Sequence, residues 1–129
     1  MKLKPDCTRD ILIAIEDVVD LQTKFVYTPG EKAPDSLKNY SPDEIAYHIR
    51  QCDLSGFLIG CEIFCYGGLI TVQDLTPAGH EFLANTRKNS IWEKVKEIGD
   101  EVGSDSLKSL AEIARQVIVQ LIRSKFPII

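Results

Sequence analysis

Residues 40–83, YSPDEIAYHIRQCDLSGFLIGCEIFCYGGLITVQDLTPAGHEFL, set a capped helix, a glycine stop, two alternating runs around a glycine pair and a second capped helix in direct succession. Ser41-Pro42-Asp43-Glu44 offers a hydroxyl for free backbone N–H groups, a proline at the first helical position and a carboxylate three residues after the cap. A helix is therefore predicted from Pro42. Ile45, Ile49 and Cys52 share one face of it, flanked by Ala46 and with His48 at the edge, while Asp43, Tyr47, Arg50 and Gln51 point the other way. Gly56 supplies a left-handed stop. The runs 58–66 and 69–75 flank Gly67-Gly68, a pair suited to a two-residue hairpin turn. Pairing Tyr66 with Leu69 sets Cys65 opposite Ile70, Ile63 opposite Val72 and Cys61 opposite Asp74 on a mostly apolar face, with Phe64/Thr71 and Glu62/Gln73 on a mixed one. Thr76-Pro77 repeats the cap-and-proline device and predicts a helix from Pro77 to about Asn85 that buries Phe82 and Leu83.

Outward from this stretch the signals are weaker. Asp6 or Thr8 is suited to cap a first helix whose apolar positions are Ile11, Leu12, Ile15, Val18, Val19 and Leu21, ending near Gln22. Residues 24–27 read as a short strand, and two prolines and a glycine make 28–35 a loop. After residue 87, Ser90 and Glu93 have capping-box spacing ahead of Ile91, Trp92, Val95 and Ile98, in a helix ending at Gly99 or Gly103. Trp92 reads as a core anchor. A last helix over roughly 106–125 carries a broad apolar stripe that includes Leu107, Leu110, Ile113, Ala114, Val117, Ile118, Leu121 and Ile122. Apolar residues occupy more than half of its circumference, so it is expected either to pack on the first helix or to pair with a second copy.

A chain of 129 residues with 44% hydrophobic and 26% charged content fits one soluble globular domain, without need of disulfides or metal. No apolar run approaches the roughly 20 residues of a membrane span, and residues 1–6 lack the apolar core of a signal peptide. A cytoplasmic protein that is not membrane-bound is expected. Cys7, Cys52, Cys61 and Cys65 lack the density of a disulfide framework and read as small core hydrophobes. The net charge of -4 is unevenly spread: residues 1–40 carry 6 basic and 7 acidic groups, 41–87 carry 2 and 6, and 88–129 carry 7 and 6. From Gln51 to Thr86 there is no Lys or Arg.

The run Tyr47-His48-Ile49-Arg50-Gln51-Cys52-Asp53-Leu54-Ser55-Gly56-Phe57-Leu58, the hairpin, and Leu75-Thr76-Pro77-Ala78-Gly79-His80-Glu81-Phe82-Leu83 together resemble the helix, wing and exit of winged helix-turn-helix proteins, over about a third of the chain. With Asn89-Ser90-Ile91-Trp92-Glu93-Lys94, the whole chain is similar to a small family of uncharacterised prophage-borne proteins of Gram-positive bacteria. The resemblance implies an α+β, mainly α, fold: a winged-helix core over about 6–87 and a C-terminal helical extension over about 88–129 of a single domain 1–129. It implies a bacterial or phage setting and no known activity. The sequence departs from the usual winged-helix pattern at Cys52, where Leu is usual, and at Leu54, where a polar residue is usual. The tip Tyr66-Gly67-Gly68 also lacks the customary Arg or Lys.

These residues support two classes of function. A DNA-binding transcriptional regulator using the 42–55 helix would read bases with Arg50 and Gln51, beside Asp43, and touch phosphate with Tyr47. Tight binders make about 6 to 10 phosphate contacts, and the cations available for this are Lys2, Lys4, Arg9, Lys32, Lys38 and Arg50. The acidic wing disfavours that reading. The favoured alternative is a non-catalytic regulatory or accessory protein whose partner is another protein or a second copy. Phe64, Tyr66 and Leu69 at the wing tip would form the contact, and Leu110, Val117, Ile118, Leu121 and Ile122 a candidate dimer helix. No metal site is expected. His48 and Cys52 sit one helical turn apart, but Cys61 and Cys65 on a strand would be about 13 Å apart at ~3.3 Å per residue, too far to share a zinc bound at about 2.3 Å. His48 and His80 have no triad neighbours and no phosphate-cradling glycine loop is present, so neither catalysis nor a cofactor is expected.

Overall fold

The computed structural model describes residues 1–30 and 33–127, so Glu31 and Lys32 of the expected loop lie outside the described residues. The fold is α+β and mainly helical. The chain divides into two compact units, Met1–His80 and Glu81–Ile129, the boundary falling within one helix and earlier than the 87/88 division read from the sequence.

In the first unit, helix α1 spans Pro5–Val18 with Pro5 in its first turn and Lys4 at the cap. Asp6 and Thr8 are helical residues here and do not cap it. Its inward face is Cys7, Ile11, Leu12, Ala14 and Ile15. The helix stops before the expected Gln22 because Asp20 Oδ1 accepts from the Gln22 backbone N–H at 2.8 Å, a local bond that competes with helix propagation. Leu21 is consequently fully exposed. Strand β1 (Phe25–Tyr27) follows as expected, burying Phe25 and Tyr27, and a 3-10 turn at Asp35–Leu37 buries Leu37.

Helix α2 spans Pro42–Leu54 and starts with the predicted capping box: Ser41 Oγ accepts from Glu44 N at 3.1 Å, and Glu44 Oε1 accepts from Ser41 N at 3.0 Å. Ile45, His48, Ile49 and Cys52 form its buried face. Gly56, at φ +81°, ends it as expected.

The hairpin is present, but its register and turn differ from the expectation. Strand β3 (Glu62–Phe64) pairs with β4 (Leu69–Val72) through Glu62/Thr71, Ile63/Ile70 and Phe64/Leu69. The loop holds four residues rather than two, because Cys65 (φ 51°) and Tyr66 (φ 56°) take the left-handed positions, whereas Gly68 is right-handed at φ -73°. The slip is even, so Ile63, Ile70 and Val72 keep one face and Phe64, Leu69 and Thr71 the other, while Cys65 and Tyr66 leave the ladder for the turn. Strand β2 (Leu58–Ile59) pairs with β5 (Asp74–Leu75) in the same register, but Gly60 at φ +61° separates the two ladders. A Cβ there would lie 2.8 Å from Gln73 Oε1. Strand β1 joins the other edge of β4, giving the antiparallel order β1-β4-β3. The central strand buries Ile70 and Val72, and the edge strand β3 is exposed throughout, so the ribbon buries one face of its central strand only. Of the four cysteines, Cys7 and Cys52 are core residues as expected; Cys61 is half-buried and Cys65 exposed.

Helix α3 spans Pro77–Thr86, and Thr76 Oγ1 caps it by accepting from Gly79 N at 3.1 Å. In the second unit, Phe82 and Trp92 are both buried and meet edge to face, with centroids 6.0 Å apart at 82°. Helix α4 (Asn89–Val102) has Lys88 at its cap, so Ser90 lies inside the first turn and the expected Ser90/Glu93 box does not form. The helix runs through Gly99 and stops at Gly103, φ +72°. Gly99 serves packing instead: a Cβ would lie 3.1 Å from Ser104 O and 3.2 Å from Leu110 Cδ2. Helix α5 (Leu107–Lys125) is capped by Ser106 Oγ and buries Leu107, Leu110, Ala111, Ala114 and Val117. Among the described residues no helix is long and apolar enough to cross a membrane.

Candidate interaction surface

The rotation that turns Ile45, His48, Ile49 and Cys52 inward turns Asp43 and Arg50 fully outward and leaves Tyr47 and Gln51 half-exposed. His48 holds the N-terminal segment against this helix. Its Nε2 accepts from Lys4 N at 2.8 Å and its Nδ1 donates to Glu44 O at 2.7 Å, so the ring is the neutral Nδ1–H tautomer. The same two neighbours form an ion pair, Lys4 with Glu44. That hydrogen bond, the Ser41 backbone N–H and the lysine charge hold the Glu44 carboxyl down at about 2.

With Met1 held nearby, a groove of about 300 Å³ opens between α2 and the hairpin, lined by Met1, Asp43, Ala46, Tyr47, Arg50, Ile63 and Tyr66. Three of the four helix residues singled out from sequence, Asp43, Tyr47 and Arg50, thus share one surface with Tyr66 at the hairpin tip; Gln51 does not line it. Phe64 and Leu69 are exposed and directly paired, on the opposite face of the sheet from Ile63. Sequence reasoning missed Met1, Ala46 and Ile63. Ile63 was placed on the buried face by alternation, and only the sheet order, which puts β3 at an edge, brings it to the groove. Tyr66 is fully exposed in a left-handed conformation that non-glycine residues rarely adopt.

The cations expected to gather for phosphate are mostly engaged. Lys4 pairs with Glu44, Lys38 with Asp35 at 2.8 Å, and Arg9 has an interaction of its own, while Lys32 is outside the described residues. The Cys61 thiol is pushed up to about 11 by burial, then by the carboxylates of Asp53 on α2 and Glu62 on β3. Among the described residues no group of three or more His, Cys, Asp or Glu side chains is placed to hold a metal ion. His80 is exposed, 3.8 Å from Asp74.

Of the five candidate dimer residues, Leu110 and Val117 are buried within the chain and are not available to a second copy. Ile118 is half-buried, and Leu121 and Ile122 are 43% and 49% exposed.

Residues 2–105 match the family described as "Hypothetical protein (DUF2513)". The chain belongs to that family. Among relatives of the DUF2513 chain, an uncharacterised protein of Haemophilus influenzae is 24% identical over 127 residues, covering 95% of this chain and 99% of the relative. A second match, 26% identical over 140 residues, is to the protein translocase subunit SecA of Streptomyces griseus; it covers 92% of this chain and only 15% of SecA. No solved structure matches.

Proposed function

We propose that this DUF2513 protein is a non-catalytic winged-helix regulatory or accessory protein, of prophage type and cytoplasmic, that acts through protein–protein interaction. The order α1, β1, α2, hairpin, α3, with β1 added to the hairpin's β4, supports the winged-helix reading. One observation carries the choice of partner: the groove between α2 and the hairpin is walled by Ala46, Tyr47, Ile63 and Tyr66 in a stretch that, after Arg50, has no Lys or Arg until Arg87. Apolar and aromatic side chains with few cations suit a protein surface better than a phosphate backbone. The test is a salt-series mobility shift on duplex DNA, run beside in-cell photo-crosslinking from position 66. Protein adducts at 66 with no retention of DNA at ~50 mM salt support the proposal; salt-sensitive DNA retention without adducts overturns it.

A second reading, a sequence-specific DNA-binding transcriptional regulator using the 42–55 helix, draws on one feature. Arg50 is exposed on the outer face of α2 and makes no ion pair with any described residue.

A further inference from the structure

Asp43 and Arg50 both line the groove, seven residues and therefore two helical turns apart, about 10 Å along α2. Both are exposed, and neither is ion-paired to a described residue. The neighbouring Glu44 and Lys4, by contrast, neutralise each other. The other lining residues are Ala46 and Tyr47 from α2, Ile63 and Tyr66 from the hairpin, and Met1. Along α2 the lining therefore runs in a fixed order from an anionic residue through Ala46 and Tyr47 to a cationic one. Its volume of about 300 Å³ lies at the bottom of the range for small-molecule pockets and accommodates a bulky side chain.

We infer that the groove docks a short protein segment presenting one bulky apolar side chain, with a Lys or Arg on the Asp43 side of it and an Asp or Glu on the Arg50 side. Charge complementarity names this occupant. A nucleic acid is anionic throughout and would meet Asp43 unfavourably, and a wholly apolar ligand would draw nothing from the two rim charges. The two charges also fix direction: a segment laid in reversed would face like charge at both ends. The apolar side chain supplies affinity and the rim pair supplies orientation, since exposed ion pairs contribute modestly. This inference rests on the protein-binding reading above.

The experiment pans a displayed library of random twelve-residue peptides on the full chain, on Asp43→Arg/Arg50→Asp, and on the milder Asp43→Asn and Arg50→Gln. The mild pair keeps the test sound if the double variant does not fold. The expected consensus is an apolar residue between a basic and an acidic residue in one order, with that order inverted on the double variant. Each neutralised single is expected to bind the original consensus peptide about three- to fivefold more weakly, and Tyr66→Asn more than tenfold. A consensus without the charge pair, or one indifferent to Asp43 and Arg50, overturns the inference while leaving protein binding intact. A dimer in light scattering that dissociates on Tyr66→Asn overturns it in favour of a second copy. Failure to enrich any peptide, with duplex DNA bound through Arg50, overturns both readings.

Discussion

The backbone N–H of Lys4 donates to Nε2 of His48 at 2.8 Å, tying residues 44 apart in sequence. The other ring nitrogen is bound to Glu44 O, so a fully buried imidazole joins the N-terminal segment to α2 with both of its polar atoms satisfied. His48→Ala leaves the Lys4 N–H without its acceptor and opens a cavity. We expect a loss of about 2–3 kcal/mol in urea denaturation, from one or two hydrogen bonds at about 1 kcal/mol each plus the void. A loss below about 0.5 kcal/mol would show that the tether does not matter.

Glu44 gives a pH dependence. Its carboxyl sits at about 2 against an ordinary 4.5, lowered by Lys4 and the Ser41 N–H. A depressed carboxylate contributes stability that is present above the ordinary value and lost as pH falls through the depressed one. Between about pH 4.5 and about pH 2 the protein should lose stability, and Glu44→Gln should lose less over that interval. Denaturation midpoints at pH 7, 4 and 2.5 read the difference.

The thiols should react in sequence. Burial pushes Cys7 up to about 12 and Cys52 higher still, while Cys65 is exposed and Cys61 is half-buried and raised to about 11. Thiolate is the reactive form. A thiol reagent at pH 8 should label Cys65 fast, Cys61 slowly, and Cys7 and Cys52 only after unfolding in urea. Rapid native labelling of Cys52 would contradict the packing of α2.

Gly79 lies in α3 where a Cβ would come within 2.5 Å of Phe57 O. Backbone oxygen cannot swing aside as a side chain does. Gly79→Ala should therefore cost about 2–3 kcal/mol, against the gain of up to about 1 kcal/mol that the same change brings in an unobstructed helix. Thermal unfolding distinguishes the two signs.

Tyr66 occupies a left-handed position at φ 56° with its side chain in solvent. Asparagine tolerates that conformation better. Tyr66→Asn should raise stability by about 0.5–1 kcal/mol, read as a gain in melting temperature, while removing the groove's exposed aromatic wall; under the proposed function it should also lower crosslinking from position 63.

The sequence was most legible where one residue type has one use. Ser41, Pro42 and Glu44 can hardly serve except as a cap, and Gly56 and Thr76-Pro77 are as plain; all three mark the observed ends. It was least legible where local and tertiary demands compete. Gly67-Gly68 advertises a tight turn, yet Cys65 and Tyr66 take the left-handed positions, and Ser90 has cap spacing inside a turn that starts earlier. The helix half of the groove was readable from periodicity at Asp43, Tyr47 and Arg50. The hairpin half was not, because whether Ile63 lies at an edge depends on β1 joining β4, a pairing that alternation along 58–75 does not reveal.

The break at Gly60 also decides how the tip is steered. With the ribbon interrupted there, the outer ladder is held through its seam with Phe25, Val26 and Tyr27. The aim of Tyr66 is thus governed from upstream, by a three-residue anchor in a distant part of the chain. A lesion at Phe25, a buried core residue far from the hairpin in sequence, will therefore unsettle the ribbon and the fold together.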